Sequence, residues 1–408
     1  MSELPKSGGG DTPTGGAAMR GSAQPTRFRR DRATWIAYLF FALNGFAING
    51  LGSVLLPLQA QTGLSAMAAN VCSSFFAVGL LVSGTLGDRM TATFGRSRLL
   101  TLAFAIMAAG AAVMSVPSVS TAIAGSAGIG LAEALIIMLL PPEFAERFGS
   151  EASRPLAEAN GLASTAGAMA PLTVAAALTA GLGWQFGYSI PLAVLGVFAA
   201  GAAIVLGWGA PKHVRIDHSA AGPIPSPRRF WGVWADLVLS VAVEFCFLLW
   251  GASAIAAWHH VDLAQATLLA GAYLVGMALG RIGGARLTVH LSARRATLLS
   301  TGVATAGALV FWLAPTPVLA SVGIFVGGLG VALLYPLAIA RLIAEDPRHA
   351  DRASSRGALG SGTAILLAPP ALVAIAGASS LRIAFVMAPL LLVVLGAHVS
   401  WMTRRDPR

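Results

Sequence analysis

The sequence predicts an all-α polytopic membrane protein, with twelve transmembrane helices arranged as two six-helix pseudo-repeats. Three observations predict it: a composition too apolar for a water-facing surface, twelve apolar runs of membrane length, and arginines that collect on alternate loops. Of the 408 residues, 56% are hydrophobic and 11% are charged, with a mean hydropathy of +0.74. A soluble domain carries about a quarter charged residues, so lipid has to be the main solvent. The net charge of +10 would suggest nucleic acid in a soluble chain. In a membrane chain the same excess belongs to cytoplasmic loops, and no nucleic-acid partner is expected.

A transmembrane helix needs about 20 apolar residues to cross a hydrocarbon core of about 30 Å. That ruler places spans at 35–58, 66–86, 98–116, 119–141, 157–180 and 188–208, then at 232–257, 264–284, 296–314, 318–340, 358–378 and 381–402. The expected organisation is a disordered cytoplasmic arm over 1–32 and an N-terminal half over 33–208. A Pro-rich cytoplasmic linker over 209–230, a C-terminal half over 231–402 and a tail over 403–408 complete it. The arm is rich in Gly, Ser, Thr and Pro and lacks the short apolar core of a cleaved signal peptide.

Starting from an inside arm, the spans put every Lys and Arg but Arg382 on the inner side, Arg281 being counted at the inner end of its helix. Positive charge on one side sets orientation, so both termini are expected in the cytoplasm of a cell whose inner membrane holds the protein. The two cysteines, Cys72 and Cys246, sit in separate apolar runs and form neither a disulfide framework nor a metal-ligand spacing.

An internal repeat supports the two halves. A shift of 197 lays Val78-Gly79-Leu80 on Val275-Gly276-Met277 and Arg89 on Arg286, one near 194 lays Leu140-Pro141-Pro142 on Leu334-Tyr335-Pro336, and one near 198 lays Pro191 on Pro389. Six-helix repeats with a midplane site between them are a common build of secondary transporters.

After the second span comes Gly84-Thr-Leu-Gly-Asp88-Arg89, followed by Gly95-Arg96-Ser-Arg98. With the aromatic turn Gly183-Trp184-Gln185-Phe186-Gly187-Tyr188, this resembles the major facilitator superfamily over residues 33–402. The motif departs from the usual one in having five residues, not one, between Arg89 and Gly95. The resemblance implies a fold of the major facilitator type and a charge relay at Gly84, Asp88, Arg89, Gly95, Arg96 and Arg98 that locks one half against the other during the cycle. An ordinary positive-inside loop is the plainer alternative.

Polar groups inside apolar runs mark candidate sites. Glu244 lies midway along the seventh span and Glu133 in the fourth. A charge there costs about 2.5–3.5 kcal/mol on insertion scales, which suits a group that binds and releases a proton; a neutral, hydrogen-bonded Glu is the structural alternative. Glu244 with Trp250 also resembles the seventh helix of the fucose:proton symporter branch, where acids in the first and fourth helices are implicated in proton coupling. Glu133 fills the fourth-helix place, whereas the first span offers only Asn44 and Asn49. Since the first, fourth, seventh and tenth helices line the cavity in the resembled fold, Asn44, Asn49, Trp250 and Tyr335 are substrate-contact candidates, with interhelical packing as their alternative. Arg281 reads as a neutraliser of loop or lipid charge, with substrate binding as the minority alternative, and His259-His260-Asp262 as a solvated outer turn, with metal binding as its alternative. Pro171, Pro336, Pro369 and Pro370 should bend their helices.

The expected activity is therefore secondary transport by alternating access, with protons and a small molecule as partners in the lipid bilayer, no cofactor, and a monomer as the working unit. The chain lacks a Gly-x4-Gly-Lys-Ser/Thr phosphate loop, and no catalytic constellation assembles on one membrane face, so an enzyme is not expected and a membrane-embedded enzyme or assembly factor is the remote alternative. Apolar, Ala- and Gly-rich cavity helices favour export of a drug-like or natural-product molecule. The membrane acids favour the alternative, uptake of a sugar-like solute.

Overall fold

The computed structural model describes residues 30–148, 153–205, 226–287, 291–346 and 350–405, apart from some helical side chains, those of Asp88, Arg89 and Arg147 among them. These residues form fifteen helices in the order α1 (Arg32–Thr62), α2 (Ala66–Phe94), α3 (Arg96–Met114), α4 (Val119–Phe148), α5 (Ser153–Thr179), α6 (Trp184–Gly187) and α7 (Ser189–Val205). Then follow α8 (Pro227–His259), α9 (Leu263–Leu287), α10 (Ala293–Leu313), α11 (Pro317–Val331), α12 (Leu334–Glu345), α13 (Ala350–Ala378), α14 (Leu381–Ala384) and α15 (Met387–Arg405). No strand occurs among the described residues.

Twelve stretches of these helices are long and apolar enough to cross a membrane, and only helices can do so without an edge of unsatisfied backbone. Because twelve is even, α1 begins and α15 ends on the same side, called here the terminal face; the other is the distal face. The seventh helix starts at Pro227, so positions 227–230 of the expected linker are helical. Positions 209–225 lie outside the described residues, as do 1–29 of the arm and 406–408 of the tail.

Three spans are broken, and proline explains where. The sixth span is α6 followed by α7, the tenth is α11 followed by α12, and the twelfth is α14 followed by α15. In each case the new helix carries a proline as its third residue: Pro191, Pro336 and Pro389. The first turn of a helix has no use for its N–H groups, so restarting there removes the conflict a proline creates in mid-helix. The match of α6–α7 to α14–α15 is the repeat made visible. Pro171, Pro369 and Pro370, by contrast, sit inside helices that run through them without a break in assignment.

The packing repeats as well. Within the first half α1 packs on α5, α2 on α4, and α3 on α4 and α7. Within the second half α8 packs on α13, α9 on α11, and α10 on α11 and α15. Glycines make the close approaches: a Cβ on Gly276 would strike the Phe325 carbonyl, and one on Gly307 would strike the backbone of Gly327. In lipid, where burial of apolar surface gives little drive, such backbone proximity and the packing it permits hold helices together.

The halves meet along α5–α9, α2–α13 and α1–α8. Towards the distal face Gly52 of α1 lies against the Leu248 carbonyl of α8, and Pro171 of α5 covers Gly271 of α9. Phe76 of α2 stacks on Phe245 of α8 with ring centroids 6.0 Å apart. The core of the second half is further stiffened by Trp258, Phe311 and Phe385, whose rings lie 5.0–5.5 Å apart.

Candidate substrate and proton site

Helix α8 packs mainly within its own half but meets α1 of the other, and near its middle it offers one acid. Glu244 retains 14% exposure of its side chain and faces Arg281 of α9, with Nη2 3.6 Å from Oε1. Arg281 is a residue of the span, about 9 Å from the end of α9 at 1.5 Å per residue. Its side chain turns inward along the bundle, and its Nη1 donates to Ser164 Oγ of α5 at 2.9 Å. A carboxylate from one half, a guanidinium from the same half and a hydroxyl from the other thus meet at the interface. Besides the loop or lipid charge expected from the sequence, Arg281 thus has the Glu244 carboxylate within reach.

Tyrosines complete the surround. The Tyr273 hydroxyl of α9 points at the backbone carbonyl of Glu244, 3.4 Å away. Tyr335 follows the α11–α12 break, is half-buried, and lies within electrostatic reach of both Glu244 and Arg281, with Ser361 of α13 beside its hydroxyl. The break before Pro336 therefore has a positional effect: it sets the first turn of α12 beside the pair.

Glu133 of α4 is 2% exposed, and its Oε1 has no hydrogen-bond partner. The Tyr188 phenol lies within its electrostatic reach but donates to the Ala47 carbonyl at 2.8 Å. Among the described residues Arg281 is the charge that faces Glu244. Asn44 is buried with its Oδ1 unpartnered. Asn49 donates to the Gly45 carbonyl of its own helix at 2.8 Å and packs on Gly167 of α5. Trp250 is almost wholly buried, with its indole N–H unpartnered.

The motif at the second span is helical. Helix α2 continues to Phe94, so Asp88 and Arg89, whose side chains lie outside the described residues, belong to its last turns. The five residues before Gly95 lengthen the helix, and Gly95, at φ 77°, turns the chain into α3 at Arg96; Arg98 is exposed there. Gly84 packs on Leu359 of α13, in the other half. At the distal face His260 ends α8 at φ 53°, and Asp262 Oδ1 caps α9 by accepting from Gln265 N at 2.8 Å. No group of three or more His, Cys, Asp or Glu that could hold a metal occurs among the described residues.

Two charged clusters escaped the sequence reading. Within the second half Asp236 of α8, 1% exposed, is 2.9 Å from Arg341 Nη2 of α12 and 2.6 Å from His398 Nδ1 of α15. An acid in the first turns of an apolar span was the available signal; Arg341 had been counted among loop charges. Within the first half Glu158 of α5 accepts from Arg30 at 2.7 and 3.0 Å and from the Tyr38 hydroxyl at 2.7 Å. Hydrogen bonding to Glu158, and then its charge, holds the Arg30 guanidinium above its ordinary pKa. Trp184 and Gln185 of the aromatic turn both donate to Gln61 Oε1 of α1, at 2.7 and 2.8 Å.

Solved structures share this architecture. A bacterial homologue of the human lysosomal transporter Spinster, inward-facing and unoccupied, superposes with a TM-score of 0.70 at 16% identity, over 91% of this chain and 96% of that one. The fold is the major facilitator fold. The same homologue in its inward-facing, occupied conformation gives 0.64 at 15% identity, over 91% and 96% of the two chains. The E. coli fucose:proton symporter FucP, in a point-variant form, gives 0.62 at 14% identity, over 90% and 97%. No protein-family model and no curated protein matches the sequence. In this fold the cluster of Glu244, Arg281 and Ser164 lies between the two halves.

Proposed function

We propose that the chain is a secondary active transporter that works by alternating access and couples its cargo to protons through Glu244. The observation that carries this reading is that the Glu244–Arg281 pair is held by a side chain from the opposite half, Ser164. Rocking of the halves has to make or break that bond, so any change of charge at the pair biases the two conformations. A ligand shifts such an equilibrium only by its differential affinity for the two states, and a proton on Glu244 supplies that difference by releasing Arg281. Glu133, buried without a partner, is the second proton-coupling candidate. Asn44, Asn49, Trp250 and Tyr335 are candidates for contact with the cargo.

In this reading residues 33–208 and 231–402 rock as two units about the linker 209–230. Packing of Gly84 against Leu359 supports a gating role for Gly84, Asp88, Arg89, Gly95, Arg96 and Arg98, because it sets the motif-bearing end of α2 against the other half. The arginine distribution supports cytoplasmic termini in a bacterial inner membrane, and the protein acts as a monomer on a small-molecule cargo.

Export of a drug-like or natural-product molecule is the direction that the apolar cavity helices support. Proton-driven uptake of a small polar solute is the second reading, supported by the charged pair at the interface and by the likeness to a fucose:proton symporter. The test is proton flux by purified protein in liposomes, challenged with a panel of lipophilic drugs and simple sugars. A cargo-dependent flux that Glu244→Gln abolishes is expected, and the active class of cargo selects the direction. A flux that survives in the variant would remove Glu244 from the mechanism and pass the role to Glu133.

A further inference from the structure

Arg281 is only partly satisfied where it sits. An arginine carries five N–H donors. Here Nη1 donates to a neutral hydroxyl, Ser164 Oγ, at 2.9 Å. Nη2 stands 3.6 Å from the Glu244 carboxylate, beyond the 2.7–3.2 Å of a formed N–H···O bond. Nε is buried with no acceptor at all. Yet the side chain keeps 29% exposure, so the fork is both unfilled and reachable. A planar fork of this kind takes a carboxylate through two parallel bonds, a geometry the more distant Glu244 does not supply.

Charge counting says which cargo belongs there. Empty, the pair is neutral. An anion on Arg281 without a proton leaves a net negative charge inside the membrane, and a proton on Glu244 without an anion leaves a net positive one. Either is costly at that depth. With both bound the site is neutral again. Among the described residues the polar groups around the pair are the Tyr273 and Tyr335 phenols and the Ser164 hydroxyl, none of which carries a compensating charge.

We propose that Arg281 is the cargo anchor and that the cargo is a small organic monocarboxylate, which replaces Ser164 on the guanidinium and binds together with one proton on Glu244. This deepens the proton-coupled reading and rests on it. The halves move easily when the site is empty or doubly loaded, giving one proton per anion without net charge transfer. The combined gradients of anion and proton then set the direction, and the apolar cavity helices accept the hydrocarbon part of the cargo. By linkage, proton and anion each raise the other's affinity by the same factor.

The probes are three molecules on one ring system: 1-naphthoate, 1-naphthamide and 1-naphthylmethylammonium. Calorimetry on the purified full-length protein, in two buffers of different ionisation enthalpy, reads affinity and proton uptake together. Naphthoate alone is expected to bind, taking up a proton, with affinity rising by up to about tenfold per unit fall in pH. Glu244→Gln should bind naphthoate without proton uptake and without pH dependence. Arg281→Gln should weaken it at least about tenfold, and Arg281→Lys, which keeps the charge but loses the fork, should fall between. Ser164→Ala should bind as well as wild type or better, because the cargo displaces that hydroxyl; weakened binding would make Ser164 a cargo ligand and overturn the exchange. The lysine and alanine variants carry the test if Arg281→Gln does not run as a single species on size exclusion. Equal binding of the amide or the ammonium, unaltered naphthoate binding in Arg281→Gln, binding without proton uptake, or no binding of any probe overturns the proposal. In liposomes, proton flux driven by the amide or the ammonium would leave proton-coupled transport standing while this inference falls. Absence of proton movement with every cargo would remove the parent reading itself.

Discussion

Two acids of α8, eight residues apart, are treated in different ways. Asp236 lies within 3 Å of Arg341 and His398, both of its own half, although its Oδ2 and Arg341 Nη1 form no hydrogen bond among the described residues. Glu244 faces a guanidinium at 3.6 Å whose better bond is to a serine of the opposite half. The first cluster lies inside one half; the second straddles the surface between the halves. The difference teaches that an acid neutralised within one half bears on that half alone, whereas one whose partner also bonds the other half bears on how the two halves meet.

The comparison can be broken most sharply by stability. Asp236→Leu strands the Arg341 guanidinium, whose side chain is 17% exposed, and removing one partner of a largely buried pair costs up to about 3–5 kcal/mol. Unfolding of the detergent-solubilised protein should show a loss of that order. Adding Arg341→Met should recover most of it, since a matched apolar replacement of both partners is close to neutral. Wild-type stability in the single variant would place Asp236 with Glu244 as a functional acid.

Glu244→Gln should behave in the contrary way. Its pair is partly exposed and beyond hydrogen-bonding distance, so the same unfolding assay should change by less than about 1 kcal/mol while proton coupling disappears. A loss as large as that of Asp236→Leu would mean that the two clusters are alike.

The smallest effect is expected at Glu158, which ties α1 to α5 within the first half. Tyr38→Phe removes one hydrogen bond from a buried hydroxyl and should cost about 1 kcal/mol. Arg30→Gln, at the exposed edge of the same cluster, should leave melting unchanged. Both variants should keep full transport. A transport defect in a stably folded Tyr38→Phe would extend functional coupling into the first half.

Much of the architecture was legible in the sequence, and the case of Pro191 and Pro389 shows why. Their common offset under the repeat foretold matched spans, and each proline does open a restarted helix after a four-residue turn. The α2 motif was found in the sequence too, but not its helicity, because nothing in a run of loop-like charges requires the helix to stop before Phe94. Of the site, the acid was visible and its partner was not. Arg281 near a span end reads as a loop charge, and Ser164 reads as nothing at all.

The sequence alone determined that lipid is the solvent, that twelve helices cross it in two similar halves, and where charge would be too costly to be idle. These are properties of composition and period, set by the cost of putting polar groups into hydrocarbon. Tertiary structure decided which of the buried charges meet. Ser164, Glu244 and Arg281 come from three helices and two halves, while Asp236, Arg341 and His398 come from three helices of one half. An arginine side chain reaches several ångströms along or across its helix, so its partner is fixed by packing and crossing of helices, which no local pattern in the chain encodes.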